Sequence, residues 1–226
     1  MTYFFRLLSL MLIAGVVFTG CMHQPSTPTP APQAPVVAPT PTPTPETGSV
    51  ASGDQMAEGN INLAASSIKW NAKKVGGAHY GTVKIKSGNL DLTDGKIVGG
   101  NFVMDMTTIT VDDTTGGMAE GLLKHLKSDD FFSVANHPES TLKVTSVTQK
   151  EGTNSYDVTA DLTIKGITNP VSFVVVFDAE KKMAVAPITI DRTLWDIKFR
   201  SLKFFSDIAD KAIEDTVTFE VNVQLK

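Results

Sequence analysis

The sequence predicts an all-β domain of antiparallel strands, preceded by an export segment and a proline-rich tether. Apolar and polar residues alternate with period two through most of the chain after residue 60. Hairpin-scale turns join the alternating runs, and no crossover helix of the kind that links parallel strands lies between them. About eight strands, each polar on one face, close into a barrel or fold into a sandwich; periodicity does not separate the two.

The N-terminal region, residues 1–20, reads as a signal peptide. Arg6 is the only charge before an apolar run from Leu7 to Phe18, too short to span a bilayer and right for a signal core. Phe18-Thr19-Gly20-Cys21 then resembles the lipobox of bacterial lipoproteins, in which the cysteine is lipidated, with Phe18 in place of the usual aliphatic residue. Cys21 is the chain's one cysteine, so no intramolecular disulfide forms and the core must hold the fold.

Residues 21–50 are expected to be the lipidated cysteine and a Pro/Thr-rich linker, with the β domain occupying 51–226. Nine of the twelve prolines fall between Met22 and Glu46, so this segment buries too little apolar surface to offset its ordering entropy. In polyproline II it reaches on the order of 70 Å, a stalk. Removing Arg6 with the signal leaves 19 basic residues against 24 acidic, a net charge of −5. With no basic run and no aromatic-basic interleaving, a nucleic-acid partner is not expected.

The strands follow in order. Short candidates are Ile61 to Leu63, Ile68 to Trp70, Thr82 to Leu92 and Val185 to Ile190. Ile97 to Thr108 places Val98, Phe102, Met104 and Met106 on one parity, with Gly99-Gly100 marking a bend or bulge. Thr141 to Thr148 reads as strand. Tyr156 to Ile164 alternates most cleanly, with Tyr156, Val158, Ala160, Leu162 and Ile164 facing one way. Val171 to Phe177 is apolar on both faces at Val174 and Val176, and the last strand puts Val217, Phe219, Val221, Val223 and Leu225 inward. Thr93-Asp94-Gly95-Lys96, Lys150 to Asn154 and Lys165 to Pro170 supply the turns.

Two helical pieces interrupt, Met118 to Lys127 and Phe204 to Ile213, the second because Phe204, Ile208 and Ala212 share a helix face. The stretch Leu122 to Val144 departs furthest from alternation. Leu122, Leu123 and Leu126 repeat at helix spacing, Ser128-Asp129-Asp130 caps a fresh turn over Phe131-Phe132, and Asn136-His137-Pro138 ends it.

That stretch, L-x-x-H-L-x-S-x-x-F-F followed by a proline and a strand, resembles the signature of the YceI-like family of bacterial envelope proteins. Trp70 with His79-Tyr80-Gly81, Asp161 to Thr168, Asp191-Arg192-Thr193 with Trp195-Asp196-Ile197, and Ala209 to Ile213 resemble further family elements in the right order. The match runs from about Ile61 to Lys226. The resemblance implies an antiparallel lipocalin-like β-barrel of about eight strands with one or two short helices, enclosing a long apolar cavity for a polyisoprenoid or similar amphiphile. The segment Trp195 to Phe205 is more aromatic and basic than the commoner family pattern.

The expected function is therefore a lipid-anchored envelope protein that binds a polyisoprenoid, quinone-like or fatty-acyl chain for storage or transport, without catalysis and without a cofactor. Its expected place is the bacterial outer membrane, periplasm-facing or surface-exposed; a homodimer is compatible with these features. The alternatives are an interaction module with a filled barrel, and an enzyme acting on an isoprenoid through His79 or His125. No G-x-S-x-G is present, and His79, His125 and His137 lack metal-ligand spacing, so neither a catalytic nor a metal residue is assigned. Phe102, Met104, Met106, Phe131, Phe132, Val158, Phe173 and Phe219 read as core side chains that line the ligand if the barrel is hollow. His79 is a candidate for the ligand mouth. Arg192 either ties a barrel end or meets a polar head group, beside Trp195.

Overall fold

The computed structural model describes residues 59–226. The expected signal peptide, Cys21 anchor and linker lie outside the described residues. Eight antiparallel strands form a closed barrel: β1 Ser67–Lys74, β2 Gly77–Thr93, β3 Lys96–Asp105, β4 Glu139–Gln149, β5 Ser155–Ile164, β6 Ile167–Asp178, β7 Met183–Asp191 and β8 Ile213–Gln224. Each strand pairs with its neighbour in sequence, and β8 returns to β1, with Trp70 opposite Phe219. Closure, not a sandwich, is how this chain removes its sheet edges.

The inward parity follows the alternation. On β5, Tyr156, Val158, Ala160, Leu162 and Ile164 are all buried. On β6, Val171, Val175 and Phe177 are buried, while Val176 is 41% exposed on the outer face. Bulges change the parity elsewhere. Asp91 pairs with Gly99 but Leu92 pairs with Ile97, so Val98 has no partner. Val98 was expected inward; the bulge turns it out, 54% exposed, and brings Ile97 in at 4%.

Three expected elements differ. The strand expected through Thr108 stops at Asp105, whose carboxylate accepts from the Thr107 N–H at 3.0 Å and starts a 3-10 turn over Met106–Thr108. Ile61 to Leu63 is reduced to one bridge, Ile61 to Leu225, because Asn62 folds the next residues into a turn: its side chain accepts from the Ala65 N–H and its carbonyl from the Ser66 N–H. Phe204 to Ile213 is not a helix. The Ser201 carbonyl accepts from the N–H groups of both Phe204 and Phe205, and only a 3-10 turn, Ala209–Lys211, precedes β8. Phe204 and Phe205 are each 48% exposed, so the spacing that suggested an apolar helix face buries no such face.

Because neighbouring strands are antiparallel, connections alternate between the two ends of the barrel. One end carries the turns after β2, β4 and β6. The other carries the turn after β1, the Lys165-Gly166 turn after β5, the β7–β8 connection and the long β3–β4 connection with α1, Gly116–Lys127. Leu126 is the buried residue of α1, and Lys124, His125 and Lys127 in its last turn suit the negative end of the helix dipole. The Ser128 hydroxyl donates to the His125 carbonyl at 2.7 Å and closes the helix.

The motifs singled out in the sequence meet at this α1 end. The Trp70 indole N–H donates to the Thr110 carbonyl at 3.2 Å, and that same carbonyl would stand 2.0 Å from a Cβ on Gly81. Position 81 is therefore glycine because the β3–β4 connection crosses directly over β2. Lys165 reaches from the β5–β6 turn to the Asp129 carbonyl at 3.1 Å, and the His137 ring lies against Gly166, 3.2 Å from where a Cβ would be.

Candidate functional site: an apolar lumen

The barrel interior holds a cavity with about 130 Å³ open to the centre of a water molecule, within a void of about 1150 Å³ that includes space continuous with solvent. Its wall runs nearly the length of the barrel, from Met106, Ile109, Ile164 and Ile188 near the α1 end to Leu90, Ile97, Ala184 and Val223 near the other. Twenty-five of the described residues contribute to it, and not one of these carries a charge. Apart from the Trp70 indole, whose N–H is used on Thr110, the single polar side chain among them is Ser140.

A second cavity, about 50 Å³ by the same measure, lies between the first and the α1 end, lined by Leu126, Phe131, Ile190, Arg192, Ile197 and Ile213 among others. Trp70, Phe132 and Phe219 line both and so form the partition.

The candidate residues distribute as follows. Phe102, Met104, Met106, Phe132, Val158, Phe173 and Phe219 line the larger cavity; Phe131 and Arg192 line the smaller. Phe131 packs with His125 at 5.0 Å and Phe199 at 5.6 Å between ring centroids, forming an aromatic cluster under the β7–β8 connection. Trp195, 1% exposed, lines neither cavity; its indole N–H donates to the Leu162 carbonyl at 3.0 Å and fixes the start of that connection on β5.

Arg192 is 2% exposed and its donors are directed at the backbone. Nε donates to the Glu214 carbonyl at 3.1 Å, Nη1 to the Ile197 carbonyl at 2.7 Å and Nη2 to the Ile213 carbonyl at 3.1 Å, with Asp215 a further 3.4 Å partner. Burial lowers its pKa from the ordinary guanidinium value, opposed by Asp215 and Asp191. It staples both ends of the β7–β8 connection together.

His79 also lines neither cavity. Its Nδ1 meets Asp113 at 2.7 Å, and the other Asp113 oxygen accepts from the Tyr80 N–H at 3.0 Å. Burial alone would raise the Asp113 carboxyl, but the Tyr80 N–H and the His79 ring outweigh it and hold the carboxyl below its usual range. His125 and Asp130 pair at 2.8 Å outside both cavities. No three His, Cys, Asp or Glu side chains converge as a metal-ligand set among the described residues.

Sequence reasoning missed several wall residues, among them Ser140 and the β2 set Val83, Ile85 and Leu90. Ser140 shares the inward parity of Leu142 and Val144 on β4, which begins two residues before the strand expected from the sequence.

Comparison with known proteins agrees with this architecture. The YceI-like domain model matches residues 60–225. A UPF0312 protein of Azotobacter vinelandii is 30% identical over 103 residues, 46% of this chain and 51% of its own length. The YceI protein of Escherichia coli O157:H7 is 34% identical over 93 residues, 41% and 46% of the two chains. The chain thus spans about half the length of the curated relatives it matches. Among solved structures, BcnA of Burkholderia cenocepacia superposes with a TM-score of 0.59 at 18% identity, over 72% of this chain and 98% of its own. A polyisoprenoid-binding domain from Saccharophagus degradans superposes with a TM-score of 0.50 at 15% identity, over 74% and 97%. At these identities the structural likeness concerns the fold alone. With a family match over most of its length and a closed eight-stranded barrel to go with it, the chain belongs to the YceI-like family.

Proposed function

We propose that this protein binds a long apolar chain (polyisoprenoid, quinone-like or fatty-acyl) in the barrel lumen, for storage or transport at a bacterial envelope membrane, without chemistry. The observation that carries the reading is the cavity of about 130 Å³ whose wall bears no charge along nearly the whole barrel. Each ~100 Å² of ligand surface removed from water there contributes about 2.5 kcal/mol before the costs of ordering. A cavity of about 150 Å³ takes up a molecule the size of benzene. Joined, the two cavities come to about 180 Å³, so a long chain also needs the lumen to widen, with Phe132 and Phe219 turning aside and Met104 and Met106 adapting around it. The polyisoprenoid-binding domain of Saccharophagus degradans shares the fold and supports the choice of ligand class.

Lipidation of Cys21 and the proline-rich stalk would hold the barrel at the outer membrane, periplasm-facing or surface-exposed. The cavity argues against an interaction module with a filled barrel. Both His–Asp pairs stand outside the cavities, which argues against His79 or His125 acting on a bound chain. The test is uptake: the delipidated chain is exposed to prenols, quinones and fatty acids, re-isolated and analysed by mass spectrometry. At least one class should be retained; retention of none sinks the proposal.

A further inference from the structure

Four polar residues are buried among the described residues: Ser133, Ser140, Arg192 and Ser201. Three are satisfied within the protein. The Ser133 hydroxyl pairs with Asp129 and accepts from the Asn136 side chain at 3.1 Å, the Ser201 hydroxyl accepts from the Lys203 N–H at 3.2 Å, and Arg192 meets three carbonyls. Ser140, 4% exposed, has no side-chain hydrogen bond at all. Among the described residues every fully enclosed side-chain nitrogen or oxygen has a partner, so the Ser140 hydroxyl is not sealed off, and unlike Tyr156, also buried without a side-chain hydrogen bond, Ser140 lines the lumen. Burying a hydroxyl without a partner is unfavourable, and an alanine would serve the packing of β4 equally well.

The position of Ser140 adds direction. It lies at the start of β4, opposite Met104 of β3, and so toward the α1 end of the larger cavity. From there the wall is hydrocarbon to Leu90, Ile97 and Val223 at the far end. Among the described residues no cationic side chain lines this cavity, and the Arg192 guanidinium, which lines the smaller one, is held by three backbone carbonyls and Asp215. A charged group placed beside Ser140 would meet no counter-charge.

We propose that the Ser140 hydroxyl is the orienting contact of the lumen: it hydrogen-bonds a neutral carbonyl or hydroxyl oxygen carried on the apolar chain. The ligand class narrows to neutral amphiphiles such as prenols, quinones or long-chain alcohols and esters. Their polar group lies toward the α1 end and their hydrocarbon runs to the opposite end. To a ketone or ester the serine O–H donates; from an alcohol the serine oxygen accepts. This deepens the reading of the lumen as an apolar-chain site and rests on it.

The experiment is a competition on the delipidated full chain between a C20 prenol and the C20 hydrocarbon of the same skeleton, with bound ligand counted by mass spectrometry. One net hydrogen bond predicts that the parent chain favours the prenol by about two- to tenfold. Ser140→Ala should bring the ratio to one or below, because the prenol hydroxyl then goes unpaired, and Ser140→Thr, which keeps the hydroxyl, should restore the preference. An unchanged ratio in Ser140→Ala, or no preference in the parent, overturns the Ser140 assignment and leaves the lumen reading standing. Failure of the parent to take up either molecule overturns the lumen reading itself, and the assignment with it.

Discussion

Replacing Arg192 by methionine keeps an unbranched apolar stem and removes every donor of the guanidinium. Three backbone carbonyls, those of Ile197, Ile213 and Glu214, then lose their side-chain partner, and Asp215 keeps only Lys203 at 3.8 Å. Each abandoned acceptor costs about 1–3 kcal/mol where it stays buried, and water entry at the partly exposed ones limits the total, so the expected loss is about 3–5 kcal/mol. With a urea slope of about 2 kcal/mol/M, this moves the midpoint by about 2 M. Arg192→Lys should recover less than half, because an ammonium lacks the fork that spans carbonyls of both chain segments. Ligand uptake at low denaturant should survive both changes. A loss below about 1 kcal/mol, or full recovery by lysine, would refute the staple. Lost uptake at unchanged stability would show instead that Arg192 serves the ligand.

Gly81→Ala should be severe for its size: the added methyl meets the Thr110 carbonyl at 2.0 Å and must displace the β3–β4 connection and its bond to the Trp70 indole. Expected is a loss of about 1–3 kcal/mol with a red-shifted tryptophan emission. Phe132→Ala removes part of the partition between the cavities; thermal unfolding should show a loss of about 2–4 kcal/mol, less than for a fully buried phenylalanine, and the uptake panel should shift toward longer chains. The Asp113 carboxyl is held below its usual range, so its contribution to stability is complete above about pH 4 and is lost as pH falls through the lower folded value. Asp113→Asn should therefore flatten the acid limb of a stability-against-pH curve below about pH 4 and lower the neutral plateau; an unchanged acid limb would count against the pairing.

Strand identity and inward parity were legible because a closed barrel imposes one buried face on every strand, as on β5 and β8. Bulges were not, since an extra residue changes parity without altering composition: Val98 reads as inward until the pairing of Gly99 with Asp91 is known. Phe204, Ile208 and Ala212 have helical spacing by coincidence, in a segment governed by the Ser201 turn and the Arg192 staple. At the site, phenylalanine and methionine on inward parity pointed to the lumen. Which aromatics partition it and which pack under the connections depends on the β3–β4 and β7–β8 crossings, which leave no periodic trace. Ser140 was missed because a serine at a strand end looks like a turn residue; only its inward parity with Leu142 could have flagged it.

If the lumen is a site for an apolar chain, the mass of what the protein carries when isolated from its own cells will show it. Organic extraction of the full chain should yield one family of long apolar molecules, near one per barrel. It should be missing from a variant, Ala186→Phe, whose added ring occupies the wall of the larger cavity. A parent chain that carries no such molecule and takes none up, or a variant that retains the same molecule at the same stoichiometry, would show that the lumen is not a site for an apolar chain.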